Sequence, residues 1–392
     1  MSYLKEFKHM LRANMREYGM FIALFIIVVF FALFTPNNVF ISPRNISNLI
    51  NANGYIAVLT VGMTLIIVIR HIDLSVGSVA GFLGAVCTIM MVEHGIAMQI
   101  AIPIALILGT ALGMLSGFLV AKVGIPAFVV TLAGMMVFRG ALFQITQRTG
   151  TILIGISEFN AIGNGFIPDI PVLQGFHFIT LVVGAIAAVL SIVFQCRARR
   201  TRISYGFEVP SLPIFLVKLI FITAAIGYLS TVLSQHSGLS WTVMIVIVVV
   251  FVYQFITTKT ILGRHIYAVG SNPEAAKLSG ININKITLFV FGSMGLLSAL
   301  SGIMFTARLQ AATINGGAGF ELDAIAGAYV GGVSAAGGVG KVTGSIIGAL
   351  VMASLTNGMQ LMGRGTSEQE IVRGLVLVLA VAFDVLSRRK SH

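Results

Sequence analysis

Residues able to act on a solute or a partner are few in this 392-residue chain, and most fall in three polar breaks between apolar runs. The first break is Arg70-His71-Ile72-Asp73-Leu74-Ser75-Val76-Gly77-Ser78. The second is Gly319-Phe320-Glu321-Leu322-Asp323-Ala324, and the third runs from Gly270 to Gly280. Carboxylates beside hydroxyls near a membrane boundary, as with Asp73, Ser75 and Ser78 or Glu321 and Asp323, are chemistry for lining or gating a polar path. Asn357, with Trp241, Gln360 and several tyrosines, adds amide and aromatic groups of the kind that bind hydroxyl-rich solutes. No catalytic residue is expected. The seven histidines stand singly with no metal-ligand spacing, so no metal site is expected either. A phosphate-binding glycine loop ending in Lys-Ser or Lys-Thr is missing, so this chain binds no ATP by that route, and any ATP energy comes from a partner.

The third break reads as a complete short helix. Asn272 is a cap for orphan amides, Pro273 suits the first helical position, and Glu274 meets the positive dipole end. Lys277 faces the negative end, Leu278 follows, and Gly280 can take the left-handed stop. Ala275 and Ala276 leave one side nearly bare, so a partner's backbone could approach it. The alternative is an ordinary capped surface helix.

These positions need a scaffold, and composition defines it. With 57% hydrophobic and 10% charged residues and a mean hydropathy of +0.98, the chain has too little polar surface for a water-soluble globule. The fold class expected is an all-α, polytopic integral membrane bundle of about twelve runs, between roughly ten and twelve of them spanning, with short broken or re-entrant segments. The runs are 19–34, 55–69, 74–92, 100–120, 126–145, 178–194, 213–233, 241–256, 287–306, 324–336, 344–362 and 371–386. Residues 1–392 form one transmembrane domain.

The net charge of +12 would point to nucleic acid in a soluble protein, but here topology accounts for it. A cytoplasmic N-terminus over residues 1–18 follows from Lys5, Lys8, Arg12 and Arg16. Alternating sides then places Arg197, Arg199, Arg200 and Arg202, the 257–286 loop, and Arg388, Arg389 and Lys390 in the cytoplasm. Arg44, Arg148 and Arg364 fall outside. A nucleic-acid partner is not expected, whereas anionic lipid can meet the Arg197–Arg202 cluster. Cys87 and Cys196 have no oxidising environment, and no disulfide is expected.

Along the chain, residues 37–54 alternate asparagines with isoleucine and leucine and are expected to lie along the membrane surface. Thr146 to His177 is the longest outside loop, a landing surface for a soluble partner or a mere connector. Asp73 either lines the path in a broken helix or caps the next helix while pairing with Arg70. The run 324–336 is too short to span, and its glycines either break the helix or serve close packing.

Three strings carry a family resemblance. Gly-Arg-His-Ile-Tyr-Ala-Val-Gly-Ser-Asn at 263–272 with Glu-Ala-Ala and Leu-Ser-Gly-Ile-Asn at 274–282, and Ile-Asp-Leu-Ser-Val-Gly-Ser at 72–78, resemble permease subunits of ABC importers for ribose, galactose and xylose. Gly338 to Gly344 and Asn14 to Met20 look most like the multiple-monosaccharide type. The resemblance implies a bacterial inner-membrane, multi-pass subunit with both termini cytoplasmic. It implies a homodimer working with an ABC ATPase that uses ATP and Mg and with a periplasmic sugar-binding protein. Residues 257–286 would be the cytoplasmic coupling loop, and 178–233 a two-span insertion that short members lack. The cargo implied is a monosaccharide such as xylose, arabinose, galactose or glucose. The rival from another class is an ion-coupled secondary transporter of a small polar solute. It needs protonatable groups deep in the membrane, whereas Asp384, Arg139, Lys218 and Arg373 sit near run ends or lack a matching partner.

Overall fold

The structure, a computed structural model, describes residues 15–147, 150–207 and 209–389. Lys5, Lys8, Arg12, Arg148 and Lys390 lie outside the described residues, as do the side chains of Arg16, Arg388 and Arg389. All twelve apolar runs become helices. In chain order the elements are α1 (Met15–Phe34), α2 (Pro43–Val68), α3 (Val76–Val92), α4 (Met98–Phe118), α5 (Ala127–Thr146), β1 (Thr151–Leu153) and α6 (Ser157–Asn164). They continue as α7 (Phe178–Ser204), α8 (Leu212–Ser234), α9 (Trp241–Lys259), α10 (Ile261–Ser271), α11 (Pro273–Leu278) and α12 (Ile283–Leu309). The last four are β2 (Ala311–Thr313), α13 (Phe320–Val330), α14 (Val342–Leu361) and α15 (Thr366–Arg389). Among the described residues, 8 helices are long and apolar enough to cross a membrane, with shorter apolar helices at Gly19–Phe34 and Val76–Val92. With 11 residues, α13 reaches about 16 Å, half of a hydrocarbon core.

Burial sorts the helices into a core and a periphery. In α2 and α12, 72% of the apolar window is buried, against 11% in α7 and 0% in α8. The two central helices therefore hold the bundle, and the α7–α8 hairpin packs mainly on itself and leaves its apolar faces to lipid. Each central helix runs into an extended break, 69–75 after α2 and 310–319 after α12, and then into a shorter helix, α3 or α13. Packing is crossed between the halves. Helix α12 lies against α3 and α4, while α2 lies against α13 and α14.

Glycines make these crossings close, with the same device in both halves. A Cβ on Gly295 would stand 2.0 Å from the Gly109 carbonyl, and one on Gly302 2.0 Å from that of Ala80. In the other half, a Cβ on Gly348 would stand 1.9 Å from the Gly327 carbonyl. The glycines after residue 324 serve both of the roles left open by the sequence. Gly327 and Gly331 pack against α14, and Gly332, Gly337 and Gly338 end the run with φ of +86°, +79° and +70°.

One expectation is corrected here, and one of two open alternatives is removed. Residues 43–54 do not lie along a surface, because Ser42 caps a 26-residue helix that starts at Pro43 and carries Asn45, Ser47 and Asn51 inward. Ser240 donates to Asn51 and Asn45 bonds Asn357, so these amides are satisfied inside the bundle. Nor is Thr146 to His177 a plain connector. It contributes β1, which pairs antiparallel with β2, and α6, whose Phe159 is fully buried. The two strands tie the second break to the α5–α6 connection.

A test of the glycine crossings follows. Gly295→Leu should lower the stability of the detergent-solubilised protein by about 1–3 kcal/mol, the range for overpacking a filled core, seen as an earlier thermal transition. Gly374→Leu, at a position with nothing within 4 Å, should leave that transition unchanged.

Candidate functional site

Two regions gather the residues singled out from sequence. One is the short helix α11 with its anchors, and the other is the crossing of the two breaks.

Local rules build α11. Asn272, at φ −152°, accepts a bond from the Ala275 amide at 3.0 Å, Pro273 opens the helix, and Gly280 closes it at φ +81°. Glu274 and Lys277 sit at the dipole ends they suit. Its environment differs from a free loop. Residues 257–259 belong to α9 and 283–286 to α12, and between them α10 and α11 pack on the bundle. Ala276 is buried in the main core with Ile266, Val269 and Ile286, so the bare side is not an Ala275–Ala276 pair. A bulky residue at 276 would strike this chain's own core. The exposed face instead presents Glu274, Ala275, Lys277 and Leu278, and Leu278 is 90% exposed. Ala275 and Leu278 stand three residues apart on one face.

The anchors of α10 and α11 reach the first break and the 331–341 segment that follows α13. Arg70, at φ +65°, donates from Nε to the Gly270 carbonyl at 2.6 Å and from Nη2 to the Ser271 carbonyl at 2.5 Å. These are the last carbonyls of α10, so a cation satisfies groups the helix leaves open. Arg70 therefore does not pair with Asp73. The Val68 carbonyl accepts from the Gly338 amide at 2.8 Å, and Tyr267 Oη donates to the Gly340 carbonyl at 2.5 Å. Thus the end of α2, the end of α10 and the 331–341 segment meet at one point. Sequence inspection missed Arg70 and Tyr267 in this role. The available signal was an arginine beside a break, with its partner two hundred positions away.

Asp73 acts within its own break. Its Oδ1 accepts from the Ser75 amide at 2.8 Å and the Ser75 hydroxyl at 2.6 Å, and Asp73, Ser75 and Ser78 are all buried. Two residues past Ser75 the second break crosses over α3. A Cβ on Gly77 would stand 2.2 Å from Glu321 Oε2 and 2.3 Å from the Gly317 carbonyl, and one on Gly81 2.1 Å from the Gly316 carbonyl. The first turns of α3 and α13 are thereby in contact, with Glu321 between them.

Asp323 meets Arg373 of α15, whose Nη1 donates to its two carboxylate oxygens at 2.9 and 3.1 Å, and Arg373 Nη2 reaches Glu370 at 3.0 Å. Arg373 thus has the partner that its sequence context did not show. Asp384 likewise accepts from Ser334 and the Ala335 amide. Asn357 stands apart from the crossing, exchanging bonds of 2.9 and 3.2 Å with Asn45, which pins α14 to α2. No group of three or more histidines, cysteines or acids able to hold a metal occurs among the described residues.

A bundle with 8 helices, among the described residues, long and apolar enough to cross a membrane is a multi-pass membrane protein, and the chain belongs to the family described as the branched-chain amino acid transport system / permease component, whose model matches residues 45–381. Its relatives narrow this. The chain is 38% identical to the xylose transport system permease protein XylH of Haemophilus influenzae, over 96% of this chain and 98% of that one. Identity to its Escherichia coli counterpart is 37%, over 96% and 94%. Against the ribose import permease protein RbsC of Haemophilus influenzae it is 34%, over 94% and 93%. No solved structure matches.

The Asp323–Arg373 pair is partly buried, with side chains 23% and 24% exposed. Arg373→Ala leaves the carboxylate unpaired and should cost about 2 kcal/mol, below the roughly 3–5 kcal/mol for a fully buried pair. Combining it with Asp323→Asn should restore part of the loss in a thermal unfolding assay.

Proposed function

We propose that this protein is the membrane-spanning subunit of an ABC importer for a monosaccharide, with a pentose as the first candidate. The observation that carries the reading is the placement of α11. A short helix seated on the bundle presents Ala275 and Leu278 to its surroundings, while its root is clamped through Arg70 and Tyr267 to segments that flank the broken helices. A docking surface joined to the first break and to the segment that follows α13 meets a mechanical requirement for driving both broken helices from outside the membrane. The names of the relatives support the cargo class, since they denote xylose and ribose permeases.

In this reading the α11 end is cytoplasmic, with both termini, and the β1–β2 and α6 end faces the periplasm of a bacterial inner membrane. Two copies of the chain pair with two ATPase subunits, which bind ATP and Mg. A periplasmic sugar-binding protein delivers the cargo to the α6 end. ATP binding and hydrolysis move α11, Arg70 and the Gly338–Gly340 contacts carry the motion to 69–75 and 331–341, and the path opens alternately to either side. The chain forms no covalent bond with the sugar, and the site residues Asp73, Ser75, Ser78, Glu321 and Asp323 act as polar lining or gate.

Coupling is tested at Ala275 and Leu278, which are free to change without disturbing the core. Ala275→Trp and Leu278→Asp should insert normally, fail to retain the ATPase on purification, and abolish ATP-driven uptake of radiolabelled D-xylose and D-ribose in vesicles. Gly280→Val should weaken coupling through about 1–2 kcal/mol of left-handed strain. Parental uptake by Ala275→Trp would remove the coupling role. Uptake driven by an ion gradient without the ATPase would replace the ABC reading with a secondary transporter.

A further inference from the structure

Beside the crossing lies a group that the coupling scheme does not use. Tyr55 of α2, Phe305 of α12 and Phe320 of α13 form a triangle of rings with centroids 5.2, 4.8 and 5.0 Å apart. Each ring comes from a different element of the crossed core. Tyr55 and Phe305 are half-buried and Phe320 is buried. Charge surrounds the triangle, although this chain has only 13 acidic residues in all. Tyr55 lies within electrostatic reach of Asp323, Arg308 and Arg373, and Glu321 within reach of Arg139. Arg308 is held by Asn164 of α6, which accepts from its Nη1 at 2.8 Å.

Two atoms near the triangle, one on the residue after Phe320 and one on a residue within electrostatic reach of Tyr55, are buried and meet no hydrogen-bond partner among the described residues. They are Glu321 Oε2, an acceptor, and Arg373 Nε, a donor. Buried polar atoms are normally satisfied, and an unmet donor and acceptor flanking one acid call for a partner that supplies both functions. A sugar hydroxyl both donates and accepts, and the C–H face of a sugar ring lies well on an aromatic ring. The charge of Arg373 is already met by Asp323 and Glu370. Its one nitrogen without a partner is Nε, whose lone N–H suits a neutral hydroxyl better than the carboxylate of an amino acid.

We propose that the Tyr55–Phe305–Phe320 triangle, together with the neighbouring Glu321 and Arg373, is the station at which the permease itself recognises an entering monosaccharide. The rings take the C–H face and the two unmet polar atoms take hydroxyls. The station rests on the monosaccharide-import reading above and adds to it the residues that contact cargo.

The test uses proteoliposomes holding the permease with its ATPase subunit, in a Cys196→Ser background. Phe305→Cys should react with a membrane-impermeant maleimide from the α6 side, and saturating D-xylose or D-ribose should slow that reaction about tenfold, while L-leucine should not. Should Phe305→Cys fail to assemble, Leu322→Cys, exposed beside Glu321, gives the same readout. Glu321→Gln should lower the maximal rate of sugar uptake about tenfold, the worth of one hydrogen bond to a charged group, without changing the stimulation of the ATPase by the binding protein. Labelling that neither sugar slows, or slowing by L-leucine alone, overturns the station, as does parental uptake by Glu321→Gln. If the parental complex imports no sugar with ATP, the import reading and the station fall together. If it imports sugar and the cysteine is unprotected, only the station falls.

Discussion

Backbone that leaves a helix within an apolar medium must find its hydrogen bonds inside the protein, and the rest of this structure depends on that requirement. Two breaks interrupt the core, and both are met by dedicated partners. In the first, Asp73 takes the Ser75 amide, and Thr131 lies within reach of the Ile72 carbonyl at 3.4 Å. In the second, β2 is paired by β1, Ile154 donates to the Gln310 carbonyl, and glycine turns from Gly316 to Gly319 bring the backbone down onto α3. Without side chains in the way, carbonyls of one break sit where the Cβ atoms of Gly77 and Gly81 would be. The glycines are therefore a consequence of laying the second break across α3 in a space that admits little more than backbone.

This economy of space also explains how a short helix at one end bears on the centre. Gly270 approaches Val68 so closely that a Cβ would stand 1.9 Å from its carbonyl, and Arg70 ties the same turn with two short bonds. Contacts of this kind have few intermediate arrangements, so in the coupling reading a displacement of α10 and α11 would pass to 69–75 and 331–341 as a unit and not be absorbed by side-chain adjustment. The polar groups at the other end, Asp323 with Arg373 and Arg308 with Asn164, join α13 to α15 and α12 to α6.

The periphery obeys a different rule. The α7–α8 hairpin contributes almost nothing to the core, and its exposed Phe194, Ile220 and Phe221 face what would be lipid. Hydrophobic driving force between such helices is weak when the solvent is itself apolar, so close fit is confined to the central helices.

By itself the sequence determined that the chain is a helical membrane protein, where its apolar runs lie, and that α11 is a capped helix. Those features depend on composition and on interactions within about four residues, as between Asn272 and the Ala275 amide or in the turn at Gly280. The tertiary structure decided the rest. Only it shows that residues 43–54 continue a central helix, because their asparagines look polar until Asn357 and Ser240 satisfy them. It turns Ala276 inward and leaves Leu278 out, a choice set by how α11 lies on the core and not by its own residues. It joins Asp323 to Arg373 and Arg70 to Gly270, pairs 50 and 200 positions apart. No local periodicity encodes such pairs, since what selects them is how the broken helices pack against one another in the folded bundle.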